Sequence, residues 1–425
     1  MNDNAAPCLS PDVERTNYYK LVVEVAWFGL AVAATSRFLS VYAIRLGATP
    51  VDLGWMTSLP FVVLLVSTTL TTWWRGKYAD SIHAIYWPSL CFRLVFLLPA
   101  FTPFFPAHLQ PFWLILSASL PALPQGVSTT LFVGMLREAV SQDKLVRLAS
   151  ARNLWMNVMI ALAALGFGFW LEQAPFPLNY QVMFLAAFGL ALVSHWFVMR
   201  IKVNPAPVAR QQAARVAFKP NFEPLRSPMF SRAVITGVII HIGFMSIVPV
   251  TPLHLVENLG ATEGFMALFG IAELTAAALV CIFTNRLSAW IGNRKMVGVA
   301  MFGTMIAAMI FATAQSLPVT LIGAAFSGAS WTTAAIGLYG LFTEGTRDVP
   351  TEQMTRYTTL YHQIVYLSAF VGPMIGSNLA NSGASLVMVM LVGALLRFMA
   401  GTSIMQLDTL FAAPAQVLRK AYRRS

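Results

Sequence analysis

The sequence predicts an all-α integral membrane protein whose twelve transmembrane helices form two pseudo-symmetric six-helix bundles, with both termini cytoplasmic. Three observations support this prediction. Hydrophobic residues make up 57% of the 425-residue chain and charged residues only 11%, whereas about a quarter of the residues in a soluble domain are charged. Apolar runs of about 20 residues, the length that crosses a bilayer, recur along the chain. A four-residue motif in the first half returns in the second half.

The apolar runs are typical of helices, because a membrane barrel would show alternating segments of about ten residues. Glycine and proline within these runs are compatible with helices, since neighbouring helices can bond the freed backbone groups. The predicted spans are 19–44, 51–74, 85–105, 111–135, 153–172, 179–199, 233–256, 263–284, 296–314, 318–342, 356–380 and 384–406.

The distribution of basic residues predicts the orientation. If the N-terminus is cytoplasmic, the cytoplasmic segments hold 24 of the 28 Lys and Arg residues, as the positive-inside rule requires. Arg37, Arg93 and Arg397 fall inside spans, and only Arg45 lies at an outer loop. We expect structural partners, or contacts with lipid head groups, for Arg93 and Arg397. We expect Glu24, near the inner interface, to pair with basic residues of the inner loops.

The same pattern divides the chain into five parts. A cytoplasmic tail (1–18) precedes the N-terminal bundle (19–199). A basic, Pro-rich cytoplasmic linker (200–232) leads to the C-terminal bundle (233–406), and a basic cytoplasmic tail (407–425) follows. The net charge of +11 lies in these cytoplasmic segments. It therefore predicts contact with membrane lipids and no nucleic-acid partner.

The repeated motif is Leu-Gly-Ala-Thr, which occurs at 46–49 and again at 259–262, 213 residues later. Both copies fall in predicted outer loops, one after the first span and one after the seventh. A match at the equivalent point of each half predicts that the second half repeats the first in the same orientation.

Two such parallel repeats resemble the major facilitator superfamily, and two inner-loop motifs strengthen the resemblance. The family's loop after the second helix carries Gly-x-x-x-Asp followed by basic residues; here GKYAD, ending at Asp80, keeps only the start. After the eighth helix, GNRK keeps Arg294 and Lys295 but lacks the acidic position. The resemblance implies that these three residues form a breakable cytoplasmic charge clasp. The alternative is that they are solvated loop charges.

Other signatures of the family are missing. Ala122 occupies the position of a frequent fourth-helix arginine, and the fifth helix lacks a Gly-Pro pair. Gly372-Pro373 occurs instead in the eleventh helix, which is the equivalent helix of the second half. The resemblance therefore covers the architecture of the whole chain and identifies no subfamily.

Two ionisable residues are expected near the membrane midplane. Counting ~1.5 Å per residue places His241 ~13–14 Å into the seventh span from inside and Glu273 ~15 Å into the eighth from outside. Because an ionisable group in lipid costs at least ~2.5–3.5 kcal/mol, each requires an explanation. The resemblance implies that the seventh helix lines a central cavity and the eighth flanks it. Both residues are candidates for substrate or proton contact, with a helix–helix hydrogen bond as the structural alternative.

Three more residues complete the candidate set. Arg37, near the outer end of the first span, either contacts substrate or extends toward the interface. Gln125 and Trp331 lie in polar stretches of the fourth and tenth helices, at positions that become equivalent when Gly126 is aligned with Gly328. Such stretches either bind substrate or bond neighbouring helices.

The sequence contains no Walker-type loop, no HExxH and no nucleophile–base constellation. We therefore expect no enzyme, no catalytic residue and no cofactor. The three cysteines are far apart and lack metal-site spacing, so we expect no metal site.

The resemblance implies a secondary transporter that moves a small organic solute by alternating access, with a proton as the coupling ion. Export of an amphipathic or drug-like compound is favoured over uptake of a sugar or small metabolite, because aromatic residues are abundant. A non-transporting scaffold or lipid-handling protein on the same fold is the further alternative. We expect a monomer in a bacterial inner membrane, because the loops are compact and the N-terminus carries no signal peptide.

Overall fold

The computed structural model describes residues 10–78, 80–203 and 222–422. Every regular element within these ranges is a helix. Most of the predicted linker (204–221), the first nine residues and the last three lie outside the described residues.

The chain forms two units. The first comprises Met1–Pro220 together with Leu255–Ile271, and the second comprises Asn221–His254 together with Ala272–Ser425. A short piece of the second half of the sequence therefore belongs to the first unit. This piece includes the second copy of the repeated motif and the first turns of the eighth predicted span.

The first unit contains nine complete α-helices among its described residues. They are α1 (Pro11–Ala33), α2 (Leu39–Arg45), α3 (Pro50–Arg75), α4 (Ser81–Phe92), α5 (Leu94–Leu97), α6 (Gln110–Ser119), α7 (Ala122–Ala139), α8 (Gln142–Gln173) and α9 (Leu178–Met199).

In the second half of the chain, one α-helix belongs to both units and the others lie in the second. They are α10 (Pro228–Met245), α11 (Val250–Leu253), α12 (Glu263–Ile291), α13 (Asn293–Thr313), α14 (Leu317–Gly345), α15 (Thr351–Asn381) and α16 (Leu386–Tyr422). Helix α12 begins in the first unit and ends in the second.

Ten helical stretches among the described residues are long and apolar enough to cross a membrane. They coincide with ten of the twelve predicted spans. The fourth predicted span is divided into α6 and α7 at Leu120 and Pro121. The eleventh is α15, whose polar residues include four Thr, two Gln and two Asn. Both are helical, and their crossing of the membrane remains a prediction, as does the cytoplasmic position of the termini.

The first span of each half is interrupted in its outer part. Between α1 and α2 the chain forms a π-helix at Ala34–Phe38, and between α10 and α11 it forms a turn at 246–249. The offset of 213 residues between the repeated motifs places these two interruptions at equivalent points. Such local departures from the α-helix are frequent at functional sites.

Helix packing repeats within each unit. The first helix of each half packs on the fifth and sixth: α1 on α8 and α9, and α10 on α15 and α16. The third packs on the fourth in both cases, α4 on α7 and α13 on α14. These matching pairs support the prediction that the second half repeats the first.

The glycine of the repeated motif terminates a helix. Gly47 and Gly260 adopt left-handed φ angles of 79° and 70°, which glycine reaches without steric cost. After Gly47, the N–H of Ala48 bonds the carbonyl of Ala43 at 3.0 Å. This bond between residues five apart is typical of helix C-termini, and it satisfies a carbonyl that would otherwise lack a donor.

The threonine of the motif begins the next helix. The hydroxyl of Thr49 and the carboxylate of Asp52 bond each other's backbone N–H, at 3.3 Å and 2.8 Å, which is a capping box. The hydroxyl of Thr262 likewise accepts a bond from the N–H of Phe265 at 3.2 Å. Leu-Gly-Ala-Thr therefore ends one helix and caps the next within four residues.

The same turn, in which a left-handed glycine ends one helix and a hydroxyl caps the next, occurs a third time at 383–385, where the sequence is Gly-Ala-Ser. Gly383 has a φ of 94°, and the hydroxyl of Ser385 accepts a bond from the N–H of Met388 at 3.2 Å. This turn joins α15 to α16, which is not an equivalent position in the repeat. Part of the likeness between the two Leu-Gly-Ala-Thr copies thus reflects a shared turn geometry.

A buried network of hydrogen-bonded polar side chains stabilises the first unit. The carboxylate of Glu24, 4% exposed, accepts bonds from Arg152 at 2.6 Å and from the hydroxyl of Ser194 at 2.9 Å. Arg93, 2% exposed, donates to the same hydroxyl at 2.9 Å and to the carbonyl of Ala191 at 2.7 Å. Arg93 has the structural partners that the sequence led us to expect, and Glu24 pairs with a basic residue.

Replacing Gly260 with alanine should destabilise the protein through backbone strain alone, since a Cβ at this position would meet nothing within 4 Å. We expect a loss of about 1–2 kcal/mol in the free energy of unfolding, the cost of a left-handed L-residue. Thermal unfolding in detergent measures it.

Gly189→Ala is the matched control, because Gly189 also has open space around it and has no left-handed φ. It lies within helix α9, so alanine should be neutral or slightly stabilising there. Equal effects of the two substitutions would contradict the assigned role of Gly260.

Candidate functional site

His241 lies in the last turns of α10 with its side chain partly exposed. Its Nδ1 is 2.7 Å from the carbonyl oxygen of Gly237. A carbonyl oxygen only accepts, so Nδ1 carries the proton. In the neutral ring, Nε2 is then a hydrogen-bond acceptor. His241 can therefore bind a donor or take up a proton at Nε2.

Trp331 of α14 lies directly against this histidine. The two ring centroids are 5.5 Å apart, and the planes meet edge to face at 86°. On another side, Trp331 stacks on Phe244 at 4.1 Å with an interplanar angle of 18°. Such arrangements follow the quadrupoles of the rings. Phe244 is buried, whereas Trp331 and His241 are partly exposed.

Glu273 contacts the same helix one turn away. A Cβ on Gly328 would overlap the carbonyl oxygen of Glu273 and approach its Cγ to 2.8 Å, so the backbones of α12 and α14 meet at this glycine. Gly328 and Trp331 are three residues apart in α14 and therefore lie on neighbouring turns. The structure thus brings His241, Trp331 and Glu273 to one stretch of α14.

Gly126 has an equivalent place in the first unit. A Cβ on Gly126 would overlap Ser67 of α3, so it packs the fourth helix of its half against the second, as Gly328 packs the tenth against the eighth. Gln125 is exposed beside it on α7, and its carbonyl accepts a bond from Thr129 at 2.8 Å.

Arg37 lies in the π-helical segment Ala34–Phe38 and is partly buried. A Cβ built on Gly270 of α12 would lie 2.6 Å from its Nε, so the absence of a side chain at Gly270 makes room for the guanidinium. Gly270 precedes Glu273 by one helical turn in the sequence of α12.

Arg397 has a structural role in the second unit. In the turn at 246–249, the N–H of Val248 bonds the carbonyl of Met245 at 3.2 Å, whereas in a continuous helix it would bond the carbonyl of Phe244. Arg397, 2% exposed, donates to the carbonyl oxygens of Phe244 at 2.7 Å, Gly243 at 3.3 Å and Thr304 at 2.8 Å. A cation at a helix C-terminus also interacts favourably with the helix dipole.

Asp80 is the N-cap of α4. Its carboxylate accepts bonds from the backbone N–H of His83 at 2.7 Å and from Nδ1 of the same residue at 2.6 Å. Burial of the Asp80 carboxyl acts to raise its pKa, but the bonds from His83 outweigh burial and hold that pKa below its ordinary value.

The two basic residues of the predicted clasp begin α13 in the second unit. Arg294 donates to the carbonyl oxygen of Met405 at 3.2 Å, and Lys295 is exposed. The role of Asp80, Arg294 and Lys295 as a clasp remains a prediction.

The first unit also contains a charged contact that sequence reasoning missed, which we name the Arg45 latch (Arg45, Glu172, Tyr180, Glu263 and Gly264). Arg45 binds Glu263 in a bidentate manner, Nε to Oε1 at 2.9 Å and Nη2 to Oε2 at 3.3 Å. The hydroxyl of Tyr180 donates to Oε1 of Glu263 at 3.0 Å, and Gly264 N–H donates to Glu172 at 3.0 Å.

The latch joins the two copies of the repeated motif. Arg45 directly precedes the first copy, and its Nη2 lies 3.4 Å from the carbonyl oxygen of Ala261 in the second copy. The two copies therefore lie at the same end of the first unit. The signal was present in the sequence, because Arg45 is the only basic residue at a predicted outer loop and Glu263 directly follows the second motif.

Comparison with known proteins gives one family match. The model of the Major Facilitator Superfamily matches residues 26–373. No curated protein sequence matches the chain significantly.

Solved structures share the fold. The nucleoside transporter NupG is 10% identical with a TM-score of 0.69, over 92% of this chain and 98% of that one. The POT family transporter PepTSo is 12% identical with a TM-score of 0.69, over 94% and 98%. The xylose transporter XylE from E. coli is 11% identical with a TM-score of 0.65, over 92% and 97%. At these identities the likeness establishes the fold alone.

Replacing Asp80 with alanine should destabilise the protein by about 1 kcal/mol through loss of the cap, whereas asparagine keeps an acceptor and loses only the charge. Because the pKa of Asp80 is lowered in the folded state, its charge contributes stability above the ordinary pKa of 3.8. That contribution disappears as the pH falls through the lowered value.

The stability advantage of the wild type over Asp80→Asn should therefore shrink between about pH 5 and pH 3. Thermal unfolding of the two proteins across this range measures it. An advantage that grows on acidification would contradict the proposed cause of the pKa shift.

Proposed function

Because this chain belongs to the major facilitator superfamily, we propose that it is a secondary transporter that moves a small organic solute across a membrane by alternating access. In this mechanism the protein exchanges between conformations that expose a site to one side at a time. The contacts that hold each conformation must be strong enough to define it and weak enough to break.

The Arg45 latch is the observation that carries this proposal. A bidentate arginine–carboxylate pair has well-defined geometry. The Arg45 side chain is 38% exposed and that of Glu263 is 12% exposed, so solvent reaches the arginine when the pair opens. Exposed pairs contribute about 0–1 kcal/mol. The latch therefore holds the start of α12 in the first unit at an energy that a bound solute can overcome.

Small residues make the latch compact. A Cβ on Gly264 would lie 2.6 Å from Oε1 of Glu172, so only glycine lets this carboxylate reach the backbone N–H at the start of α12. A carboxylate at a helix N-terminus is also favoured by the helix dipole. Gly168 of α8 approaches the first turn of α12, because its Cβ would lie 3.0 Å from that of Ala267.

The substrate and proton-coupling residues that we propose are Glu273, His241, Arg37, Gln125 and Trp331. Glu273 is the proposed proton carrier, because an ionisable residue inside a span is costly to insert and is usually functional. Asp80, Arg294 and Lys295 act as the clasp at the cytoplasmic side. The cargo is an amphipathic organic compound that is exported; uptake of a sugar or small metabolite is the second candidate.

Reversal of one charge in the latch should expose Ala261, which is buried beside it. The test uses a protein in which Cys8, Cys91 and Cys281 are replaced by serine and Ala261 by a reporter cysteine. Because Ala261 is 1% exposed, this cysteine should react slowly with a maleimide. Arg45→Glu should accelerate labelling about fivefold, as loss of ~1 kcal/mol implies. Combining Arg45→Glu with Glu263→Arg should recover at least half of that change.

Arg356→Glu is the matched control, because Arg356 forms an exposed ion pair with Glu223 at 2.9 Å in the second unit. It should leave labelling of the reporter unchanged. If the double reversal labels as fast as the single one, the pair does not hold the latch closed.

Replacing Glu273 with glutamine should abolish pH-gradient-driven transport in proteoliposomes while counterflow persists, because the amide keeps the shape and loses the exchangeable proton. The solute is the one that most raises the unfolding temperature in a compound panel. Glu257→Gln is the control, since Glu257 is exposed at the end of the seventh span.

Driven transport by Glu273→Gln at the wild-type rate would refute the proton role. Absence of thermal stabilisation and of counterflow with every compound would favour the non-transporting scaffold.

A further inference from the structure

Three side chains of the second unit form a continuous cluster, which we name the His–Trp–Phe cluster (His241, Phe244 and Trp331). Phe244 is 8% exposed and forms the base, with Trp331 stacked on it at 4.1 Å. The ring centre of His241 lies 5.5 Å from that of Trp331, and the two ring planes are nearly perpendicular. The partly exposed members are the indole and the imidazole, so the cluster offers one aromatic surface and one heterocyclic edge.

The cluster has a defined hydrogen-bonding polarity. Because Nδ1 of His241 donates to the carbonyl of Gly237 at 2.7 Å, Nε2 of the neutral ring has only a lone pair to offer. A ligand at this edge must therefore supply an N–H or O–H group. A group that only accepts would leave two acceptors facing each other, which is unfavourable away from water.

The cluster is held from behind by Arg397. Its Nη2 donates to the carbonyl of Phe244 at 2.7 Å, and its guanidinium carbon lies 4.8 Å from the centre of the Phe244 ring. The carbonyl of Gly243 accepts from Arg397 at 3.3 Å and from the hydroxyl of Ser246 at 2.9 Å. The backbone beneath the cluster is thereby fixed, and a rigid aromatic surface binds a ring with little loss of entropy.

From this geometry we propose that the His–Trp–Phe cluster binds a planar aromatic ring that carries an N–H or O–H donor. The ring contacts the exposed part of Trp331, and the donor bonds Nε2 of His241. This inference rests on the proposed transport function, and it names the substrate class as a donor-bearing aromatic compound. A polyhydroxylated solute fits less well, since the cluster offers a single acceptor for many hydroxyl groups.

Binding of indole and 1-methylindole to the full-length protein in nanodiscs tests this inference, because the two probes share a ring system and differ in the N–H donor. We expect indole to bind the wild type at least about fivefold more tightly, the ratio that one hydrogen bond supplies. His241→Phe should abolish the preference while keeping an aromatic ring at this position. Empty nanodiscs give the lipid background for each probe.

Two further variants keep the test interpretable. His241→Gln retains an acceptor, so it should preserve part of the preference for indole even if His241→Phe folds poorly. His108→Phe is the matched control, because His108 is an exposed histidine in the 3₁₀ turn Ala107–Leu109 of the first unit. It should bind both probes as the wild type does.

The outcomes separate this inference from the transport function. Equal affinity of the wild type for the two probes, a preference that survives in His241→Phe, or no binding of either probe would overturn the inference. The proposed function would still stand if another solute of the panel is transported. Conversely, selective indole binding by a protein that transports no solute would support the cluster as a site and reject the transport function.

Discussion

The need to satisfy every backbone polar group in apolar surroundings governs this fold. A continuous helix meets this need internally, and the chain departs from a continuous helix only where another group takes over. At the end of α10 that group is Arg397, whose guanidinium binds the carbonyls of Gly243, Phe244 and Thr304. The same guanidinium lies 4.8 Å from the centre of the Phe244 ring, on which Trp331 stacks at 4.1 Å. A single buried arginine thus links helix termination to the architecture of a candidate site.

Charged residues divide into two kinds by exposure. Glu24 and Arg93 are nearly inaccessible and are fully bonded to partners within the first unit, and removing one partner of a buried pair typically costs about 3–5 kcal/mol. Arg45 is 38% exposed and binds Glu263 at a helix terminus, where the loss of the pair costs far less. The first kind stabilises the bundle, and the second makes a contact that can open at low energetic cost.

Sequence reasoning named His241, Trp331 and Glu273, which the structure brings to one stretch of α14. The depth of these residues in the membrane and their function remain predictions. Sequence reasoning missed the Arg45 latch because Arg45 and Glu263 are 218 positions apart, and spacing along a chain says nothing about such a contact. It also missed His83 as the partner of Asp80, although an N-cap acid bonds within its own first turn.

The sequence by itself determined the apolar helical stretches and the helix ends at Gly47, Gly260 and Gly383, because hydropathy and left-handed backbone geometry are local properties. Tertiary structure decided which helices meet, which carbonyls Arg397 binds and which tautomer of His241 is present. Those outcomes depend on distances between remote segments, where a shift of about 1 Å makes or removes a hydrogen bond. They are therefore set by the packing of the folded chain and cannot be read from any one stretch of it.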